Sequence, residues 1–398
     1  MAVIAVFFVH GFLFASWTAH IPQLQHHLGL SDGQLGIAML GAPIGSVLAM
    51  VVAARLLPIV GSQPMVRLAL VGYCVSGPFI GLTGSLGTFF VAFLLWGFFQ
   101  GTLDVSMNTQ AITVERFSGR VLMPGFHGSW STGALVGAVT GAAAVGLGLS
   151  LSEQLLALAI PCLLVVGWLT TSLIADQRAG SDPESSSEGR PDGRSGALQG
   201  AVLVLGGIAF ADMLCEGAAA DWAAVYLRSS LHAVPLVAGL AYAVYALAML
   251  AVRLSGNRIF TRFAAHRVLP LLAAMASLGF AAGLVIARPA SMLVGFALLG
   301  VGLGGVVPIV LSSAGAVSNV NTGKAVVAVA GCGWAGFVVG PVVIGEIAST
   351  TTLHIALFLI PVLAGTVAVA TGMAKALRCS ALPADAAPSG RPPTAVDC

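Results

Sequence analysis

Apolar residues run along this chain in stretches of about twenty, each broken by a short polar or glycine-rich turn. Twelve stretches stand out: 2–24, 34–54, 66–84, 88–112, 125–147, 154–175, 198–227, 235–254, 268–287, 290–314, 325–347 and 352–374. About 20 mainly apolar residues are what a helix needs to cross the ~30 Å hydrocarbon core of a bilayer. The pattern therefore predicts an all-α membrane protein with twelve transmembrane helices. The first stretch is too long, and too rich in polar and aromatic residues, for a cleaved signal peptide, and no small-residue cleavage site follows it. It reads as the first helix.

The stretches also repeat. Sliding residues 36–137 forward by 203, the step from Gly36 to Gly239, brings Arg55 onto Arg258, Gly97 onto Gly300 and Gly101 onto Gly304. The same step puts Gly128 on Gly331, Gly133 on Gly336 and Gly137 on Gly340. One offset holding across four separate segments is not a chance pairing of glycines. Internal repeats in an apolar chain mark secondary transporters, with the solute held near the bilayer midplane between the halves. The expected organisation is two pseudo-symmetric six-helix bundles, 1–175 and 198–376.

Between them lies the one compositional break. Residues 176–197 carry five acids, three arginines and almost no apolar side chain. Such a segment buries too little to order itself, so it is expected to be a disordered cytoplasmic linker. The Ala- and Pro-rich 377–398 reads as a flexible cytoplasmic tail.

Composition supports the membrane reading: charged residues are 8% and apolar ones 58%, against about 25% and 45–50% in soluble domains. Charge then sets orientation. With the N-terminus inside, every lysine and arginine except Arg228 and Arg288 falls on the cytoplasmic side, as the positive-inside rule requires. Both termini are expected in the cytoplasm. The net charge of +2 reflects this topology and suggests no nucleic-acid partner. The six cysteines show neither CxxC nor metal-like His spacing, so no disulfide, metal or cofactor is expected.

An ionisable group inside the membrane is costly unless paired or wet, which makes each one a functional candidate. Asp104 lies in the middle of the fourth stretch, with Asn108 one turn on and on the same face. It reads as a proton-binding carboxylate, because closing and drying its cavity disfavours the charged form; a structural Asp hydrogen-bonded across a helix pair is the bland alternative. Glu115 and Arg116, at the cytoplasmic mouth, read as an interfacial ion pair. In the fifth stretch His127 and Trp130 are candidate solute contacts, Trp130 as a wall for a ring, with Trp334 its approximate counterpart in the eleventh. The seventh carries Asp212 and Glu216 at i and i+4, with no Lys or Arg in the same helix to neutralise them. Glu216 is the second proton-coupling candidate and Asp212 a solute contact. Asp221 and Trp222 read as interfacial. His10, Trp17, Thr18 and His20 interrupt the first helix; Thr18 is a further solute candidate, and His20 is expected close to the outer surface.

Several segments carry a family resemblance. AARLLPIVGSQPMVR (53–67) and RLSGNRIFTRFAAHR (253–267) resemble degenerate copies of the basic loop motif of the major facilitator superfamily, which assigns Arg55 and Arg258 to gating. IPQLQHHLGLSDGQLG (21–36), GTLDVSMN (101–108) and FHGSWSTGALVG (126–137) resemble that superfamily's fucose-permease-like branch of sugar–proton symporters. Its bacterial relatives of unknown substrate are similar also in VER…GR…M…FH..WS.G, from Val114 to Gly133, and EGA..DW.AVYLR, from Glu216 to Arg228. The resemblance implies the major facilitator fold and places Asp104 on the symporters' proton-coupling Glu and His127 on a sugar-contacting Gln. Thr18 stands where those symporters carry an Asp. Any second titrating group is then His20, His10 or a helix 7 acid.

The function expected is proton-coupled movement of a small polar, sugar-like solute by alternating access, in a multi-pass monomer surrounded by lipid in the bacterial cytoplasmic (inner) membrane. The alternative is a proton-driven exporter of a metabolite or drug. The absence of proline from 125 to 147 leans against that, since drug antiporters usually carry a Gly-Pro-rich motif there. An enzyme is not expected: no nucleophile–base pair, metal set or phosphate loop appears, and LLGVGLGG (298–305) lies within a helix with no preceding strand.

Overall fold

The computed structural model describes residues 1–118, 122–174, 195–317, 322–374 and 377; side chains at 124, 195–199, 257–261, 315–317 and 322–324 are outside the description. The expected linker, but for 195–197, and the expected tail, but for Leu377, lie outside the described residues. Everything described is helix or short connection. The first half holds α1 (Ala2–Ser16), α2 (Ile21–Leu28), α3 (Asp32–Met39), α4 (Gly41–Val60), α5 (Ser62–Ile80), α6 (Leu86–Ser118), α7 (Met123–Gly146), α8 (Leu151–Pro161) and α9 (Gly167–Leu169). The second holds α10 (Ser195–Val225), α11 (Pro235–Arg262), α12 (Ala265–Ile286), α13 (Pro289–Leu303), α14 (Val306–Val317), α15 (Thr322–Thr350), α16 (Leu353–Ala356) and α17 (Leu359–Met373).

Local chemistry places the breaks. Gly29 (φ 62°) ends α2 and Gly61 (φ 85°) separates α4 from α5, backbone geometries that glycine reaches without a Cβ clash. Ser31 and Ser150 begin α3 and α8 with capping boxes closed by Gln34 and Glu153, each satisfying otherwise orphaned N–H groups. A 3-10 turn at Thr18–His20 interrupts the first spanning stretch between α1 and α2.

Ten helical stretches among the described residues are long and apolar enough to cross a membrane. The two remaining stretches read from the sequence, 66–84 and 125–147, are helical as α5 and α7 but fall outside that set. The physical reason is visible in α7: glycine, serine and threonine take the places of large apolar residues where a neighbouring helix, not lipid, covers it.

Close helix contacts built on glycine organise each half. A methyl group at Gly133 would collide with the Phe8 carbonyl oxygen, and one at Gly137 with that of Phe12, so α1 and α7 touch backbone to backbone. Gly336 stands in the same relation to the Phe210 carbonyl, drawing α15 onto α10. Gly101 lies against Ser46, and its repeat partner Gly304 against Met249. Both steps, from 101 to 304 and from 46 to 249, are 203 residues. The repeat read from spacing is thus a repeat of contacts.

The contacts gather into two compact units. One comprises Met1–Glu184, Ala220–Ala246 and Pro341–Ala356; the other Ser185–Ala219, Leu247–Gly340 and Leu357–Cys398. The first unit therefore includes parts of α10, α11 and α15 as well as the first six stretches. Small residues make this close approach: a Cβ at Gly36 would lie 2.7 Å from the Pro341 carbonyl, and one at Gly239 would lie 2.9 Å from the Ala142 Cα.

Candidate functional site

In the first unit α6 sets Asp104 and Asn108 one turn apart, as the i, i+4 spacing predicts. The Asn108 amide donates to the Asp104 carbonyl oxygen at 2.8 Å and to its Oδ1 at 3.2 Å. The one ion pair among the described residues is Arg253–Glu216, so Asp104 has no cationic partner among them. Its carboxylate is steadied by an amide rather than neutralised by a base.

One wall of this unit comes from α1, α5, α6 and α7. The Trp130 indole N–H donates to Nδ1 of His10 at 2.7 Å. Tyr73 stacks on His10 with ring centroids 5.8 Å apart and on Trp96 at 4.8 Å. The Tyr73 hydroxyl is buried with no hydrogen-bond partner. His127 meets Phe7 edge-on at 5.4 Å. The Trp130 indole is thus pinned by His10, which the sequence offered as an interruption of helix 1 and a candidate titrating group but not as this partner.

Other expected residues take quieter places. Thr18 is buried and its hydroxyl donates to the Ala15 carbonyl at 2.9 Å, within its own turn. His20, expected near the outer surface, is buried and bonded through Nε2 to Gln154 Oε1 at 2.7 Å; Gln154 in turn donates to the Ser16 carbonyl. Trp222, expected at the interface, is wholly buried and lies against Gly345. Glu115 does not pair with Arg116. It accepts the backbone N–H groups of Leu122 and Met123, because orphaned donors at a helix start attract a carboxylate more surely than a solvated arginine does. Arg55 is exposed on α4; Arg258 falls in α11, with its side chain outside the described residues. A cavity of about 340 Å³ opens among Met1, Ile4, Val114, Phe126 and Leu173. None of Asp104, Asn108, His127 or Trp130 lines it.

The second unit has its own charged centre. Asp212 and Glu216 share one face of α10, and Glu216 meets Arg253 of α11, whose Nη2 lies 3.8 Å from Glu216 Oε2. Arg253 Nε also donates to the Gly304 carbonyl at 3.3 Å, at the break between α13 and α14. Asp212 is 3% exposed and its Oδ1 has no hydrogen-bond partner. Glu216 does have a base, supplied by the next helix. A signal for it existed: Arg253 stands where the first repeat has Met50, a charge placed in one half only. Trp334 on α15 is 43% exposed and packs edge-on against Phe337 at 5.9 Å. No group of three or more potential metal ligands occurs among the described residues.

No family model matches the chain. It is 33% identical to an uncharacterized MFS-type transporter of Yersinia pestis over 363 residues, covering 91% of this chain and 92% of that one. It is 31% identical to the membrane protein MosC of Rhizobium meliloti, over 90% of this chain and 86% of the relative. Among solved structures it resembles a D-xylose–proton symporter (TM-score 0.71, 14% identity, 94% of this chain and 98% of that one). A nucleoside transporter is similar as well (TM-score 0.69, 13% identity, 95% and 98%).

Proposed function

Since this chain belongs to the MFS-type transporters, a family of membrane carriers and not of enzymes, we propose that it moves a small polar, sugar-like solute together with protons by alternating access. Twelve spans with both termini in the cytoplasm, in a monomer of the bacterial inner membrane, complete the reading. The observation that carries it is Asp104: a carboxylate in mid-helix, held by Asn108, with no cation beside it among the described residues. An acid kept in such a place at such a cost is a proton site. His127, Trp130, Asn108 and Thr18 in the first half, with Asp212 and Trp334 in the second, are the solute contacts of this reading. Arg55 and Arg258 act at the cytoplasmic turns. Glu216 is the second proton-coupling group.

A fucose-permease-like cargo is the finer part of the proposal. The sugar carried by one structural neighbour favours it, and the nucleoside carried by another keeps hydroxyl-bearing rings in general in view. The test begins with thermal-shift screening of the purified protein against sugars, sugar acids, nucleosides and amino acids, since a ligand of the folded state raises its apparent stability. Radiolabelled hits are then offered to proteoliposomes with the outside acid. Uptake above equilibrium that collapses with a protonophore supports symport. Loss of preloaded solute driven by the same gradient would instead establish export.

A further inference from the structure

The charged centre of the second unit contains more acid than base. Asp212 and Glu216 carry two negative charges and Arg253 one positive, which leaves one negative charge uncompensated in a spanning region. Isolated buried charge of that kind is strongly disfavoured. The geometry shows which end is short of a partner. Arg253 reaches Glu216 at 3.8 Å, beyond hydrogen-bond range, while Asp212 Oδ1, one helical turn away, has no partner at all. The guanidinium is anchored by its Nε at the Gly304 carbonyl, and the two carboxylates lie one turn apart on one face of α10. No other cation serves the pair among the described residues. On α10 the adjacent Cys215 is turned to the Ile360 carbonyl, α13 and α14 offer the Gly304 carbonyl, and α15 presents the exposed Cys332.

We propose that Asp212, Glu216 and Arg253 form a single proton site, in which one guanidinium serves two carboxylates in turn. In this arrangement Arg253 holds Glu216 and the proton sits on Asp212, the carboxylate without a partner, so the site is electrically neutral. When Arg253 passes to Asp212 the proton moves to Glu216, the more exposed of the two (8% against 3%). From there it is released to water, and a proton taken up again returns Arg253 to Glu216. Arg253 is a positioning residue here: it takes no proton itself and decides which carboxylate does. The site binds one proton, not two, because one base leaves one acid to neutralise. The proposal rests on the proton-coupled reading of the chain but not on Asp104, which lies in the other unit.

The experiment needs no substrate. Full-length protein in lipid is acidified, and the carboxylic acid C=O stretch is followed by infrared difference spectroscopy. Asp104→Asn identifies and removes the contribution of Asp104. For the second site, either Glu216→Gln or Asp212→Asn alone abolishes the whole remaining signal of the pair, because Arg253 then pairs fully with the single carboxylate left. Arg253→Gln does the opposite and raises the signal by about one carboxylic acid, while Arg253→Lys, which keeps the charge and controls for folding, leaves it as in the wild type. Two carboxylates that titrate independently give a different result: each substitution removes only its own share, and Arg253→Gln changes nothing. That result overturns the proposal. If the pair's variants leave the spectrum unaltered while Asp104→Asn removes a band, the proposal fails and the first-half coupling site stands; the converse leaves the pair and removes Asp104.

Discussion

The indole N–H of Trp130 donates to Nδ1 of His10 at 2.7 Å, and this bond has only one possible polarity. Indole nitrogen donates and never accepts, so Nδ1 must be the bare nitrogen and the imidazole proton must sit on Nε2. That Nε2 is buried with no hydrogen-bond partner among the described residues. Charging His10 would set one N–H against another.

The first prediction follows from that pair. His10→Gln offers an oxygen to the indole and is expected to keep near-wild-type stability. His10→Leu leaves the Trp130 donor without an acceptor and should lower stability by about 1–3 kcal/mol, read as a drop in apparent Tm in detergent. With the signal identified by its loss in Trp130→Phe, the Trp130 indole N–H resonance should shift between the wild type and His10→Leu, which removes the acceptor. An indole signal that stays in place in His10→Leu counts against the bond.

Asp104→Asn mimics the permanently protonated acid and keeps an amide able to meet Asn108. It should fold and exchange substrate across the membrane, yet lose pH-gradient-driven accumulation by about fivefold or more. Counterflow and gradient-driven uptake in the same vesicles separate the two. A structural Asp would leave both intact, with their pH dependence unaltered.

The glycine contacts give a contrast within one helix. Gly133→Ala drives a methyl into the Phe8 carbonyl, and Gly336→Ala does the same at Phe210; each should cost about 1–3 kcal/mol by overpacking. Gly128→Ala meets nothing within 4 Å and should be neutral, or stabilising by up to about 1 kcal/mol through helix propensity. Thermal unfolding of the three variants decides, and equal effects at 128 and 133 would contradict the close contact.

Topology is tested with fusions. Alkaline phosphatase, active only outside, should be active when inserted at the turn containing Gly148 and inactive at the C-terminus. A fluorescent protein should show the reverse. Activity at both places would sink the twelve-span arrangement.

The sequence by itself determined the class of molecule, the helical stretches and the doubling. Length and apolarity answer directly to the thickness of a bilayer, and the glycines at 101 and 304 repeat because each admits the same neighbour, Ser46 in one half and Met249 in the other. It also placed Asp104 beside Asn108, because a contact between i and i+4 is a property of one helix. Contacts between helices were another matter. That Arg253 answers the acids of α10, that His10 accepts the Trp130 indole N–H, and that Glu115 caps α7 instead of pairing with Arg116 were decided only by tertiary structure. The physical reason is common to all three. Periodicity fixes which face a residue occupies on its own helix, whereas the partner across the gap depends on the rotation and depth at which two helices meet, and no local spacing encodes that.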